Sequence, residues 1–282
     1  MKRLWLKQKS LFDLISIALL LAGTVVMVFP FLWMLSTSLK IRQSIFIMPP
    51  QLIPRPASFV KYLEIWKKVP LLSGFKNSLT IVVSVCLVGT FTSSLAAFAF
   101  SKIRFPHKSM LFMLLIATMM IPYAVIMIPQ FVAFSTLRLV DTLWPLIFPG
   151  LLGNISMIFF LRQYMTGIPD DMLDAGRIDG CGLFAIYARL VIPNCGPALA
   201  SQIILWFMGM WNDFLGPMIY LNSPEKLTVQ AVLSMLNTQY TSQMDYPLIM
   251  AGSVISILPI IVVFCMFQRF FLESLAISSI KA

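Results

Sequence analysis

An all-α membrane protein with six transmembrane helices is the fold class that this sequence predicts, and three observations carry the expectation. Of 282 residues, 59% are hydrophobic and only 11% charged, where a soluble domain carries roughly 25% charged residues. Mean hydropathy is +0.88, and that much apolar surface must face lipid. The apolar residues fall in long runs, and the basic residues fall in the loops between them. A net charge of +10 therefore reads as membrane topology and not as nucleic-acid binding.

Lys2, Arg3, Lys7 and Lys9 precede a run over 11–35. This run is too long for a signal-peptide core and lacks a small-x-small cleavage site, so an anchored helix is expected. Trp33 suits its interfacial end. Residues 40–76 are polar and hold Pro49, Pro50, Pro54, Pro56 and Pro70. Within them Ser58 is placed to cap a short interfacial helix with Phe59, Tyr62, Leu63 and Trp66 on one face. The second span is expected over 79–100, where Ser93, Ser94, Ala96 and Ala97 favour close helix contact. Lys102, Arg104 and Lys108 follow it. Pro122 and Pro129 imply a kink in the third span, 110–131. Pro149, Gly150 and Gly153 break the fourth, 143–161. The fifth, 197–220, contains Trp211, Asn212 and Asp213. The sixth, 247–271, contains Pro259 and leads to a short tail.

Orientation follows from the basic residues. With the N-terminus inside, the inner segments hold twelve of the 21 Lys and Arg, and the outer segments hold nine. Seven of those nine lie in 40–76, against the rule, but the short outer loops hold only Arg138 and Lys226. The remaining loops thus favour N-inside.

Residues 174–193, DAGRIDGCGLFAIYARLVIP, form a charged, glycine-broken segment between two apolar runs. Pro169 ends what precedes it. Asp170 and Asp171 place carboxylates at the free N–H groups of a new helix over 171–178. Gly180 is a natural terminator. Leu183, Ile186, Tyr187, Leu190 and Val191 then form one helical stripe, and Pro193 is expected to stop it. Ala175 and Gly176 expose backbone to close approach by a partner.

This spacing resembles the EAA loop of ABC importer permeases: acidic-Ala-small, a glycine four residues on, then aliphatic-x-aliphatic-Pro. The matching residues are Asp174, Ala175, Gly176, Gly180, Leu190, Ile192 and Pro193, with Asp179 beside the glycine. Asp174 stands where Glu is usual, and Gly176 where Ala is usual. Asn77-Ser78 and Trp211-Asn212-Asp213-Phe214 resemble the same family, and AFAFSKIRFP at 97–106, MIPYAVIMIPQF at 120–131, LVDTL at 139–143 and 160–169 resemble its carbohydrate subfamily. His107 departs from a usual Gly. The resemblance implies a type I ABC importer permease fold, similar to the maltose and oligosaccharide permeases. It implies that these loop residues couple the chain to ATPase subunits. It further implies a heterodimer with a second permease, two ATP-binding subunits, an extracytoplasmic sugar-binding protein, and a bacterial cell membrane with both termini cytoplasmic. The corresponding division is 1–73 for the N-terminal tip, first helix and extracytoplasmic segment. The permease core takes 74–271, with the coupling loop at 162–196, and the cytoplasmic tail takes 272–282.

The chain shows no site for ATP of its own. There is no G-x-x-x-x-G-K-S/T phosphate loop, and no glycine is followed by lysine. No G-x-S-x-G, H-E-x-x-H or paired intramembrane carboxylates are found, and His107 is the single histidine. Cys86 and Cys265 lie in apolar runs; Cys181 and Cys195 flank the second loop helix, where thiols stay reduced. No catalytic residue, metal site or cofactor is expected, so ATP hydrolysis falls to partners. Asp213 has two readings, a packing carboxylate or a lining of the sugar path, at a cost of about 2.5–3.5 kcal/mol at bilayer centre. Trp211 likewise suits an interfacial anchor or a platform for sugar stacking. A secondary transporter and a membrane scaffold are the rival functions. The sequence does not name the sugar.

Overall fold

The computed structural model describes residues 11–45, 47–239 and 245–280. The basic tip 1–10 and the last two residues of the tail lie outside the described residues. Every regular element among those described is helical. In chain order these are α1 (Leu11–Ser38), α2 (Val60–Lys68), α3 (Leu71–Lys102), α4 (Lys108–Ala117), α5 (Tyr123–Thr136), α6 (Trp144–Leu151) and α7 (Ile155–Thr166). They continue as α8 (Asp170–Ile178), α9 (Leu183–Ile186), α10 (Ile192–Asn194), α11 (Gly196–Trp211), α12 (Leu215–Tyr220), α13 (Val229–Gln239) and α14 (Tyr246–Ile280).

Four stretches are long and apolar enough to cross a bilayer: Asp13–Ser38, Leu71–Lys102, Trp144–Thr166 and Tyr246–Phe270. Two bent pairs, Lys108–Met120 with Tyr123–Thr136 and Leu183–Asn194 with Gly196–Trp211, bring the number to as many as six if each is one span. The third span is not merely kinked, as the two prolines suggested, but turns by 96° between Met120 and Tyr123. Ile121 and Pro122 are both extended there, because the residue before a proline avoids helical backbone. The other pair turns by 80° between Asn194 and Gly196, at a cysteine flanked by Pro193 and Pro197. The fifth span, expected to be continuous, is interrupted after Trp211. The sixth helix runs past the expected end at 271, through Ile280.

Two compact units divide the chain. The first comprises 1–69 and 236–255. The α1 window is unburied along its length, so lipid or another chain must cover it. At its end the Lys40 ammonium stands 4.4 Å from the centre of the Trp33 ring. Tyr62 of α2 hydrogen-bonds Ser38 at 2.7 Å, and Ile65 is buried. The stripe expected to bind α2 is thus mostly outward, with Phe59, Leu63 and Trp66 exposed. Lys61 instead ties α2 to Asp245 at 2.6 Å, and to Glu64 at 2.8 Å. Burial lowers the Lys61 pKa, but these carboxylates outweigh it and hold the ammonium charged.

The second unit comprises 70–235 and 256–282. Its centre is α3, which packs against α6, α7 and α11. Glycine permits the crossing. A Cβ at Gly89 would collide with the Gly150 carbonyl and the Trp206 ring, and one at Gly150 would strike Val85. Ser93 closes the same contact, donating to the Gly89 carbonyl and accepting from the Asn154 backbone N–H at 2.8 Å. Gly153, between α6 and α7, has φ +114°, open to glycine and strained for other residues. A continuous apolar cluster runs from Ala97 and Phe98 through Leu161 and Met165 to Leu173, Ile186, Tyr187 and Val191. The 174–193 segment is therefore packed onto the ends of two membrane helices.

Candidate coupling surface and path residues

The loop begins where its sequence says it should. Pro169 is extended, Asp170 and Asp171 occupy the first turn of α8, and Arg177 the last. Both signs suit the helix dipole. Gly180 has φ +77°, with nothing within 4 Å of where a Cβ would sit. The turn is thus glycine-dependent through its backbone and open on its outer side. Gly176 is buried for a different reason: its missing Cβ would lie 2.8 Å from Leu190 Cδ1. It is the contact between α8 and the second loop helix.

Pro193 does not end that helix. Proline has no N–H for the Arg189 carbonyl, and the chain widens into a π-helical turn over Tyr187–Val191 before continuing as α10. Such turns are uncommon and recur at functional positions. Ile186, Tyr187 and Val191 of the expected stripe are buried, whereas Leu183 is exposed. Tyr187 hydrogen-bonds Ser94 of α3 at 2.7 Å. Asp174, Ala175, Asp179 and Gly180 all lie on the surface, with Asp174 paired to Arg177 at 2.5 Å. Leu190 and Ile192 are partly buried.

Sequence reasoning passed over two residues of this surface. Ile178 is 87% exposed and Phe184 is 62% exposed. With Leu183 they flank the Gly180 turn, an apolar rim around an open glycine. Ile178 fell outside the helical stripe, and Phe184 looked like one more apolar residue beside a membrane span. Lys102 anchors the base. Its side chain is 6% exposed and reaches Asp170 at 2.6 Å and the Ile168 carbonyl at 2.5 Å. The hydrogen bond from Lys102 holds the Asp170 carboxyl below the usual carboxylate range. Among the described residues no group of three His, Cys, Asp or Glu is placed to hold a metal ion.

Trp211, Asn212 and Asp213 occupy the break between α11 and α12. Trp211 is 1% exposed. Its ring stacks on Phe207, and its Nε1–H donates to the Ser256 carbonyl at 3.0 Å. It sits in the packing, with no face left for a sugar. Asn212 is exposed and accepts a hydrogen bond from Gln230 at 3.2 Å, a partner that nothing in the sequence signalled. Asp213 accepts from the Gly216 N–H at 3.2 Å. A Cβ at Gly216 would lie 2.6 Å from that carboxylate, so Asp213, Gly216 and Pro217 together account for the interrupted fifth span.

A second polar knot joins the turn after α5 to the loop after α12. Asp141 is in the left-handed region at φ +60°. Its carboxylate accepts from the Asn222 and Ser223 N–H groups at 2.9 Å, the Ser223 hydroxyl at 2.6 Å and Lys226 at 2.8 Å. The Lys226 and Ser223 hydrogen bonds push its pKa well below the ordinary carboxylate value.

This geometry, a half-exposed loop packed on two of six helical spans, has known counterparts. The family described as binding-protein-dependent transport system inner membrane component matches residues 89–275. The chain belongs to that family. This permease is 35% identical over 207 residues to the arabinooligosaccharides transport system permease protein AraQ of Halalkalibacterium halodurans, covering 73% of each chain. It is 28% identical to the lactose transport system permease protein LacG of Rhizobium radiobacter, covering 97% of this permease and 98% of that one. In fold, it matches a chain of a bacterial ABC transporter involved in the import of the acidic polysaccharide alginate. The TM-score is 0.82, with 22% identity and coverage of 95% and 99%. The permease is thus an all-α, multi-pass membrane subunit of the ABC importer type.

Proposed function

We propose that this permease forms half of the translocation path of a sugar importer, and that its 174–193 loop receives the stroke of separate ATPase subunits. The observation that carries the reading is the loop itself. Its inner face is anchored in the apolar cluster of the spans, and its outer face presents Ile178, Leu183 and Phe184 around the open Gly180 turn. Exposed apolar side chains on a polar loop are costly unless a partner covers them. A partner that moves them moves the spans. Sugar is the substrate class because the named relatives include permeases of arabinooligosaccharide and lactose transport systems.

In this account ATP binding closes the ATPase pair. The loop is displaced, and the spans alternate between openings to the two sides of the membrane. The second permease, two ATP-binding subunits and an extracytoplasmic sugar-binding protein complete the assembly. The loop and both termini are cytoplasmic in a bacterial cell membrane. Asn212, paired with Gln230 of α13, and Asp213 are polar groups at the break in the fifth span. Co-expression with the neighbouring permease and ATPase subunits tests the reading. Co-purification of ATPase subunits, and sugar uptake in vesicles that requires ATP, are expected; a chain that purifies alone and moves solute without ATP would overturn it.

A further inference from the structure

We infer that this chain itself touches the sugar in transit, at a cleft distinct from Trp211-Asn212-Asp213 and lined by Asn154, Ser156, Gln202, Trp206 and Gly209. The inference rests on the importer reading and goes further, because it assigns sugar-contacting side chains to this subunit. The cleft lies between α7 and α11 and encloses about 320 Å³. That is the low end of small-molecule sites, about 300–1,000 Å³, and suits one sugar ring at a time.

Depth is the first argument. Asn154 lies ten residues after Trp144 and twelve before Thr166, the middle of its span. Trp206 and Gly209 lie near the middle of the fifth crossing, and Gln202 lies six residues, about 9 Å, in from its start at Gly196. At that depth an unpartnered amide facing lipid is strongly unfavourable. Yet among the described residues Gln202 makes no hydrogen bond to its own chain, nor does the Ser156 side chain. Asn154 spends only its oxygen, accepting from the Met157 N–H at 3.0 Å, and its amide N–H groups are left over. The backbone is also non-helical beside the cleft, at 152–154. Irregular backbone at membrane depth occurs where it is buried in protein or lines a wet cavity. Water or a polar solute is what these groups can meet.

Rigidity is the second argument. Asn154 is held by its backbone N–H to Ser93. The far edge of the Trp206 ring lies over Gly89, where a Cβ would come within 2.5 Å. A fixed indole beside free amides and a hydroxyl is the chemistry that reads a sugar: C–H faces against the ring, hydroxyls against the amides. Gly209 leaves the wall open, with nothing within 4 Å of its missing Cβ.

The test uses the complete reconstituted complex with saturating sugar-loaded binding protein. Maximal uptake rates are compared for arabinotriose, lactose and chitobiose. Gln202→Ala and Trp206→Ala should lower uptake of the preferred sugar several-fold and change the ratio of rates among the three. Gly209→Leu, whose Cβ would meet no atom within 4 Å, should narrow the cleft and penalise the bulkier sugars most. Assembly, followed by co-purification, should be retained. Variants that leave every rate at wild type, or lower all three sugars in the same proportion, would overturn the site while leaving the importer reading standing. A wild-type complex that moves the sugar held by its binding protein without any need for ATP would overturn the importer reading and the site with it.

Discussion

The Lys102 ammonium stands 2.6 Å from Asp170 and ties the C-terminal end of α3 to the first turn of α8. The lysine is almost fully buried while its carboxylate partner is largely exposed. A charge so placed stays only if its hydrogen bonds are met, and the Ile168 carbonyl supplies the second. The second span and the 174–193 loop are therefore expected to move together.

Lys102→Met keeps the length of the side chain and removes the link. Insertion and assembly should be unchanged, and uptake per ATP hydrolysed should fall several-fold. Because the Asp170 pKa is depressed, the link is present above the ordinary carboxylate value, about 3.9, and is lost as pH falls through its lowered value. Coupling in the wild type should thus be flat from about pH 5 to 8. A loss of coupling already at pH 6 would show that the link is not this ion pair.

Asp141 should matter more through the backbone N–H groups that donate to its carboxylate than through Lys226, since exposed ion pairs contribute little. Asp141→Asn keeps a residue tolerant of φ +60° and loses the charge. Asp141→Ala loses the acceptors as well and strains the turn. Thermal melting of the purified complex should rank wild type above Asn, and Asn above Ala, with Lys226→Met close to wild type. Equal melting of Asp141→Ala and wild type would mean that the knot does not hold these two loops together.

Much of this was legible in the sequence. Spans declare themselves by apolar length, and the loop declares itself by Asp174, Ala175, Gly180 and Pro193 at fixed spacing. What was not legible depends on contacts between distant residues. The right-angle turn at Pro122 exceeds what a proline alone dictates. Trp211 read equally as anchor or sugar platform until its N–H was found on Ser256, 45 positions away. The Asp141 knot bridges 82 positions to Ser223. Gly176 looked like a departure from Ala, but Leu190 lies where the methyl would go.

Orientation is open to a direct check. In a cysteine-free background, cysteine at Asp179 should react only from the cytoplasmic side and cysteine at Glu225 only from the outside; both positions are exposed. Labelling of both from one side would break the six-span arrangement.

The central claim is that 174–193 couples rather than merely folds, and Gly180→Leu tests it most directly. At φ +77° a leucine strains the turn by roughly 1–2 kcal/mol yet its Cβ meets no atom within 4 Å, and apolar burial in lipid does not depend on it. The measurement is sugar uptake and ATPase rate in reconstituted vesicles, normalised to the amount of permease in the membrane. The expected result is normal membrane level, lost uptake, and an ATPase that no longer responds to sugar-loaded binding protein. A reduced amount of permease with normal uptake per molecule would contradict the account and make the loop structural.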